Sequence, residues 1–209
     1  MASPDIFNIK VIGKGGHGAV PQESIDPIVI TCQIVNSLQT IVSRKINPLD
    51  PVVITCGRIQ GGDCHNVIPN EVELEGTIRT FNEETRNWVP KVMEDLISGI
   101  TTSQGAAYEF KYEPKYPALI NDKYMTSFAK ESLKKVVGEE NVFDLKEPNM
   151  GGEDFAYFAQ KVPSAFIFVG IANNKSEPVI HHNPYFKWDS KNVGILAQSL
   201  SQIAIDYLK

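Results

Sequence analysis

The chain has 209 residues, of which 42% are hydrophobic, and a formal net charge of −5 with acidic and basic residues interspersed. This size and composition fit one large globular domain or two small ones. The acidic balance argues against a nucleic-acid partner, and no apolar run reaches the roughly 20 residues of a membrane span. Cys32, Cys56 and Cys64 are odd in number and lack C-x-x-C spacing, which predicts reduced thiols and a cytoplasmic location.

Residues 6–114 alternate between strand and helix patterns in the order β-α-β-β-α-β. This order is that of a ferredoxin-like split unit. Both helices have start signals: Asp26 precedes Pro27, and Asn82 precedes the second apolar stripe. The predicted elements are a strand at 6–12, a helix from 26 to about 42, strands at 52–58 and 67–81, a helix from 82 to about 105, and a strand at 107–112.

Residues 114–117 contain two prolines and mark the predicted boundary with a second, α/β region. That region has fewer strands than the five to six of an ordinary sheet. We therefore predict an α+β domain at 6–115 followed by an incomplete α/β portion at 116–209. Its predicted elements are a helix capped by Asn121, a short strand near 142–143, a strand at 165–169, and a final helix at 193–207.

A glycine-rich turn, residues 13–21, follows the first strand and contains His17. Its glycines also match the dinucleotide fingerprint G-x-G-x-x-G, in which a helix must open at the third glycine. Here Pro21 follows instead, and the predicted helix starts only near residue 26, so we favour a different use of the turn. The remaining alternatives are an incidental loop histidine and a histidine that donates a hydrogen bond in a cleft.

Several segments follow one another in a specific order along the chain. They are Gly15–Ala19, Asn66–Asn70 followed by Gly76–Phe81, Gly151–Phe155, and His182–Pro184. Together these segments resemble the co-catalytic zinc amidohydrolases, a family that includes hippurate hydrolase, indole-acetyl-amino-acid hydrolase, and aminoacylase-like and carboxypeptidase-like enzymes. The resemblance covers nearly the whole chain.

The resemblance implies that residues 6–115 form the family's lid, which is also its dimerisation domain. It implies that His17 reaches into the partner subunit's active site and donates a hydrogen bond to the scissile carbonyl oxygen, as an oxyanion-hole donor does. Asn66 is implied to have a similar catalytic contact. The alternative for Asn66 is a residue that only caps a turn.

Arg79 is implied to bind the substrate's carboxylate, for which a guanidinium fork is suited. Glu73 and Glu75 lie on the same strand face, so a cross-strand salt bridge is the competing interpretation. Gly151 and Gly152 are expected to line the substrate cleft. The following Glu153-Asp154 pair is interpreted as acidic residues at a helix N-terminus rather than as a catalytic base.

The resemblance also implies a pair of divalent metal ions, zinc or another, in the intact active site. His182 matches the family's C-terminal metal ligand, and a pair of surface histidines with His181 is the alternative. His65 receives no chemical role.

The family's upstream segment, with its Cys-Gly-His-Asp motif, Glu-Glu pair and further histidine, has no counterpart in this sequence. A catalytic zinc ion needs three protein ligands, and this sequence offers one candidate, His182. We therefore expect the C-terminal half of a homodimeric enzyme that hydrolyses the amide bond of N-acyl amino acids or small peptides. The alternative for this chain alone is a non-catalytic dimerisation module.

Overall fold

The computed structural model describes residues 1–171 and 182–209, so the predicted His181 lies outside the described residues. The chain divides into two compact units. Unit 1 comprises residues 1–119 and 148–157, and unit 2 comprises residues 120–147 and 158–209. The assignment of residues 6–115 to a lid stays a prediction.

Unit 1 contains a four-stranded antiparallel sheet with strand order β3-β5-β1-β6 and a separate two-stranded ribbon of β2 and β4. The predicted order β-α-β-β-α-β is confirmed, since the ribbon only adds two short strands to it. The strands are β1 Ser3–Ile12, β2 Gly16–His17, β3 Val53–Gln60, β4 Val67–Ile68, β5 Glu71–Thr80 and β6 Ala107–Glu113. The α-helices of the described residues are α1 Pro27–Thr40, α2 Glu83–Ser103, α3 Lys123–Val137, α4 Ala156–Ala159 and α5 Lys191–Tyr207.

One face of this sheet forms the core of unit 1. Alternate residues of β1 are buried because successive side chains of a strand point to opposite faces. Phe7 and Ile9 pack there in one cluster with Leu38 of α1 and Met93 of α2. Both helices begin where the sequence predicts: Asp26 Oδ1 accepts hydrogen bonds from two backbone N–H groups of α1, and Asn82 Oδ1 does the same in α2.

A buried carboxylate joins the first and last strands of the sheet in unit 1. Asp5 accepts hydrogen bonds from Arg86 Nε and Nη2, both at 2.7 Å, from the Tyr112 hydroxyl at 2.5 Å and from the Lys115 backbone N–H at 2.8 Å. Burial alone would raise the pKa of Asp5, but the bonds from Arg86, Tyr112 and Lys115 hold it below its ordinary value. Burial and the bond to Asp5 raise the pKa of Tyr112.

Unit 2 departs from the prediction in its strands. Residues 142–143 and 165–169 lie outside any strand of the described chain. A strand needs a neighbouring strand for its backbone groups, and here the side chain of Asn121 bonds the backbone of Phe166 instead, as acceptor at 2.9 Å and donor at 3.0 Å. Because Asn121 is used there, α3 is capped by Asp122, one residue later than predicted.

All three cysteines are free, as predicted. The cytoplasmic location stays a prediction. Within residues 1–171 and 182–209, no helix is long and apolar enough to cross a membrane.

Candidate functional site

The ribbon of β2 and β4 brings His17 and Asn66 together. His17 pairs with Val67 across the ribbon. The Gly18 backbone N–H donates to the Asn66 carbonyl oxygen at 2.8 Å. Two candidate residues that are far apart in sequence therefore lie on adjacent segments.

The glycines of the turn allow this close approach of two backbones. A Cβ on Gly18 would lie 3.0 Å from the carbonyl oxygen of Asn66, and one on Gly15 would lie 2.8 Å from that of Ile68. The first α-helix after the turn starts at Pro27, not at the third glycine. The turn thus lacks the helix N-terminus that a dinucleotide phosphate needs.

A backbone hydrogen bond orients the His17 ring. The Ala19 N–H donates to His17 Nδ1 at 3.0 Å. A nitrogen that accepts a hydrogen bond carries no proton, so the neutral ring carries its proton on Nε2. Because His17 is exposed, its Nε2–H is accessible as a hydrogen-bond donor to a ligand.

Asn66 lies in a β-turn in which the Val67 N–H donates to the Cys64 carbonyl oxygen at 3.3 Å. Its side-chain Oδ1 accepts from the Cys64 thiol at 3.0 Å. The Asn66 side chain therefore bonds a neighbouring side chain, unlike a turn cap, which accepts from a backbone N–H. An open depression of about 440 Å³ adjoins the turn, and Gly18, Cys64 and His65 contribute to its lining.

Arg79 lies near the other end of β5, opposite Pro4 of β1 and Val53 of β3. Neither neighbour is acidic, which explains why no ion pair of Arg79 occurs within the described part of the chain. The sheet's cross-strand ion pairs include Arg58 with Glu75, at 2.5 Å.

Gly152 lies against the same Pro4. A Cβ on Gly152 would lie 2.3 Å from Pro4 Cγ, so the backbone approaches β1 as only glycine allows. The neighbouring Gly151 N–H donates to Asn149 Oδ1 at 2.6 Å. Arg79 and Gly152 therefore both adjoin Pro4 and form a second group of candidate residues. The first group is His17 and Asn66.

The two groups lie at opposite ends of β5. The first adjoins Asn70, whose carbonyl oxygen accepts from the Gly13 N–H at 2.8 Å, and Asn70 directly precedes β5. The strand's ten residues, Glu71–Thr80, span roughly 30 Å at about 3.4 Å per residue. A single small substrate is much shorter than this, so it cannot contact both groups of one chain.

The acidic pair Glu153-Asp154 lies just before α4 and is separated from it by Phe155. The carbonyl oxygens of Glu153 and Asp154 accept from the N–H groups of Ala156 and Tyr157, respectively, at 3.2 and 3.0 Å. This position agrees with the interpretation of the pair as residues at a helix start.

The predicted metal ligand His182 belongs to unit 2 and has a left-handed backbone conformation, with φ of 68°. Such a conformation is uncommon for a residue other than glycine. Across residues 1–171 and 182–209, no three side chains of His, Cys, Asp or Glu are grouped to hold a metal ion. The described residues therefore do not fit a complete metal centre.

The sequence analysis did not identify the hydrogen-bond partners of the His17 and Asn66 side chains. Ala19 lies two residues after His17, and Cys64 lies two residues before Asn66. This i,i+2 spacing within a turn is the available signal, because turn side chains reach groups two residues away.

Residues 9–205 match the family described as peptidase family M20/M25/M40. The chain belongs to this family. The predicted membership of an amidohydrolase and peptidase family is thereby confirmed.

Individual M20 relatives agree with this membership. The chain is 39% identical over 209 residues to N-acetylcysteine deacetylase of Bacillus subtilis, covering 100% of this chain and 53% of the relative. It is 37% identical over 207 residues to thermostable carboxypeptidase 2 of Saccharolobus solfataricus, covering 97% and 52%. A Bacillus subtilis crystal structure titled a dinuclear metal binding peptidase from M20 family has a TM-score of 0.73 at 34% identity, covering 98% of this chain and 50% of that one. The M20 chain thus spans about half the length of the curated relatives it matches.

Proposed function

We propose that this chain supplies substrate-binding groups to an enzyme that hydrolyses the amide bond of an N-acyl amino acid or a small peptide. Membership of the M20 family supports the reaction class. The names of two relatives, a deacetylase of N-acetylcysteine and a carboxypeptidase, support these two substrate types. Both types place an amide bond next to a free carboxylate.

The observation that carries the proposal is the orientation of His17. Its Nδ1 is occupied by the Ala19 N–H, so Nε2–H is the group offered to a ligand. A donor fixed before the reaction stabilises the negative charge that develops on the carbonyl oxygen during attack at the amide. The amide N–H₂ of Asn66, on the adjacent segment, adds a second donor of the same kind.

Arg79 is proposed to bind the carboxylate of the substrate. It has no acidic residue opposite it in the sheet, so its guanidinium is available for a bidentate contact. Gly151 and Gly152 are proposed to contact the same substrate through their backbone, since Gly152 and Arg79 both adjoin Pro4.

We propose further that the enzyme is a homodimer through residues 6–115. The two groups of candidates are separated along β5, so His17 and Arg79 reach one substrate only if they come from different subunits. Strand β3 forms an edge of the sheet. Its exposed Val53 and Ile59 supply apolar side chains for a symmetric contact.

A divalent metal, zinc or another, is proposed for the complete enzyme, with His182 as one ligand. The described residues supply no complete metal centre, so the other ligands and the base that activates water come from elsewhere. On the alternative proposal, the chain acts only as a dimerisation module.

A chimera tests the proposed function. This chain replaces the aligned 209 residues of N-acetylcysteine deacetylase, and hydrolysis of N-acetylcysteine is measured together with metal content. We expect hydrolysis by the chimera. For this chain alone we expect no hydrolysis and substoichiometric metal.

His17→Ala in the chimera is expected to lower kcat by about 10²–10³-fold, the usual effect of losing an oxyanion donor. Lys14→Ala is the matched control, because Lys14 is exposed in the same turn and bridges Ile25 only through its backbone. Turnover that survives His17→Ala would refute the donor role, and an inactive chimera would favour the dimerisation module.

A further inference from the structure

The turn that carries Asn66 contains a thiol with no assigned role. Cys64 is the first residue of this turn and Asn66 the third, and the turn is closed by the hydrogen bond from the Val67 N–H to the Cys64 carbonyl oxygen. This geometry places both side chains on one small loop. The Cys64 Sγ lies 3.0 Å from Asn66 Oδ1 and 4.0 Å from His65 Nδ1.

The direction of this hydrogen bond decides what Asn66 offers to a ligand. An asparagine amide has one acceptor oxygen and an N–H₂ group with two donors. A thiol is a weak donor and a weaker acceptor, so it takes the amide oxygen as its partner. With Oδ1 bonded to the Cys64 thiol, the exposed Asn66 offers the two donors of its Nδ2 group to a ligand.

The same arrangement occurs at His17, independently. There the acceptor Nδ1 is occupied by the Ala19 N–H at 3.0 Å, and the donor Nε2–H remains. Each of the two residues thus uses its acceptor within its own loop. His17 on β2 and Asn66 just before β4 therefore each offer a side-chain donor, which suits an oxygen that becomes negatively charged.

We infer that Cys64 is a positioning residue that orients the Asn66 amide so that its N–H₂ group faces the substrate oxygen. This inference deepens the proposed function and rests on it for the identity of the ligand. The orientation itself is a property of the free chain and is measured without substrate.

The test is nuclear magnetic resonance of the ¹⁵N-labelled full chain, with the Asn66 side-chain amide assigned by its disappearance in Asn66→Ala. The heteronuclear NOE of that amide reports how well it is ordered. We expect an ordered amide in the wild type and in Cys64→Ser, since a hydroxyl also donates to Oδ1. We expect Cys64→Ala to lose this order. Cys32→Ala, which removes an exposed thiol from α1, is the matched control and leaves the amide unchanged.

Two results would overturn the inference. One is an equally ordered amide in Cys64→Ala, which would show that the thiol does not position it. The other is a loss of order in Cys64→Ser as large as in Cys64→Ala, which would show that the thiol acts by packing and not by donating.

The chimera separates this inference from the proposed function. Cys64→Ala is expected to lower kcat roughly threefold to tenfold, as one hydrogen bond is worth, with KM little changed and with rescue by Cys64→Ser. If the amide behaves as expected but Asn66→Ala leaves turnover unchanged, the substrate role of Asn66 fails while the orientation by Cys64 stands. An unaltered kcat in Cys64→Ala, in a chimera that does depend on Asn66, refutes the catalytic part of the inference.

Discussion

The two units differ in how they use their apolar residues. In unit 1 the apolar side chains of β1, α1 and α2 close a core around Phe7 and Leu38, both fully buried. In the described part of unit 2, α5 exposes Val193 by 50% and Leu200 by 59%. The apolar residues of unit 1 are thus buried within the unit, whereas several apolar side chains of α5 stay exposed among the described residues. Four pairs of substitutions test this contrast, and each pair has one member in each unit. The fluorescence of Trp88 reports the unfolding of unit 1, and that of Trp188 reports the unfolding of unit 2.

The largest effect is expected at the buried carboxylate of unit 1. Asp5→Asn removes the carboxylate charge that Arg86 pairs with at 2.7 Å and leaves the buried guanidinium with the longer ion pair to the exposed Glu83, at 3.5 Å. Breaking a buried pair in this way costs about 3–5 kcal/mol of unfolding free energy. The matched change in unit 2, Asp206→Asn, removes the charge of a carboxylate whose Oδ2 accepts from Lys135 Nζ at 2.8 Å. It is expected to cost much less because Lys135 is exposed. Chemical denaturation measures both, and equal losses would contradict the contrast.

The effect of Asp5 also depends on pH in a defined direction. The folded-state pKa of Asp5 is lowered, through its bonds to Arg86, Tyr112 and Lys115 and despite burial. Its contribution is therefore fully present above the unfolded pKa, about 3.9, and is lost as pH falls through the lower folded value. The stability difference between wild type and Asp5→Asn should shrink below about pH 4. A difference that grows on acidification would refute the assigned ionisation.

The second effect is expected in the core. Leu38→Ala in α1 should cost about 2–5 kcal/mol, through lost burial and the cavity left behind. The identical change at the exposed Leu200 of α5 should stay within about 0.5 kcal/mol. Urea unfolding curves of the two variants compare them directly, and a large loss at Leu200 would show that α5 is covered in solution.

The third effect concerns glycines with and without close neighbours. Gly152→Ala forces Pro4 to move, because the added Cβ would lie 2.3 Å from Cγ, and should cost about 1–3 kcal/mol as overpacking does. Gly194→Ala in α5 meets no atom within 4 Å and should stabilise its helix by about 0.5–1 kcal/mol. Thermal unfolding measures both shifts, and the same sign in both would contradict the packing of residue 152.

The smallest effect is expected at the helix starts. Asn82 caps α2 through bonds from the Glu84 and Thr85 N–H groups, so Asn82→Ala should cost about 1 kcal/mol. Ser190, at the same position of α5, makes no side-chain cap bond, so Ser190→Ala should leave stability unchanged. A clear loss at Ser190 would indicate a cap that forms only in solution.

The elements of unit 1 were predictable because their signals are local. Alternation along β1, the Asp26-Pro27 start of α1 and the Asn82 cap of α2 each depend on a few neighbouring residues. The predicted strands at 142–143 and 165–169 are wrong because a strand also needs a partner, which no local pattern supplies. Asn121 illustrates this. Its side chain bonds the backbone N–H and carbonyl oxygen of Phe166, which in a strand would bond a neighbouring strand.

The candidate site was predictable in its residue types but not in its geometry. The resemblance singled out His17, Asn66 and Arg79 one by one. Their division into two groups follows from the pairing of β2 with β4 and from the length of β5, which are long-range properties. Cys64 has no motif of its own, and the role proposed for it depends on one contact within a turn.

The central claim is that His17 acts on a substrate held by the other subunit, and complementation between two inactive chimeras tests it most directly. One chimera carries His17→Ala and the other His182→Ala. Each alone is expected to be inactive. After unfolding and refolding together in equal amounts, half the dimers are mixed and each has one complete site, which predicts recovery of about a quarter of the wild-type rate. No recovery, although mixed dimers form, would contradict action across the dimer and would place His17 in its own subunit's site.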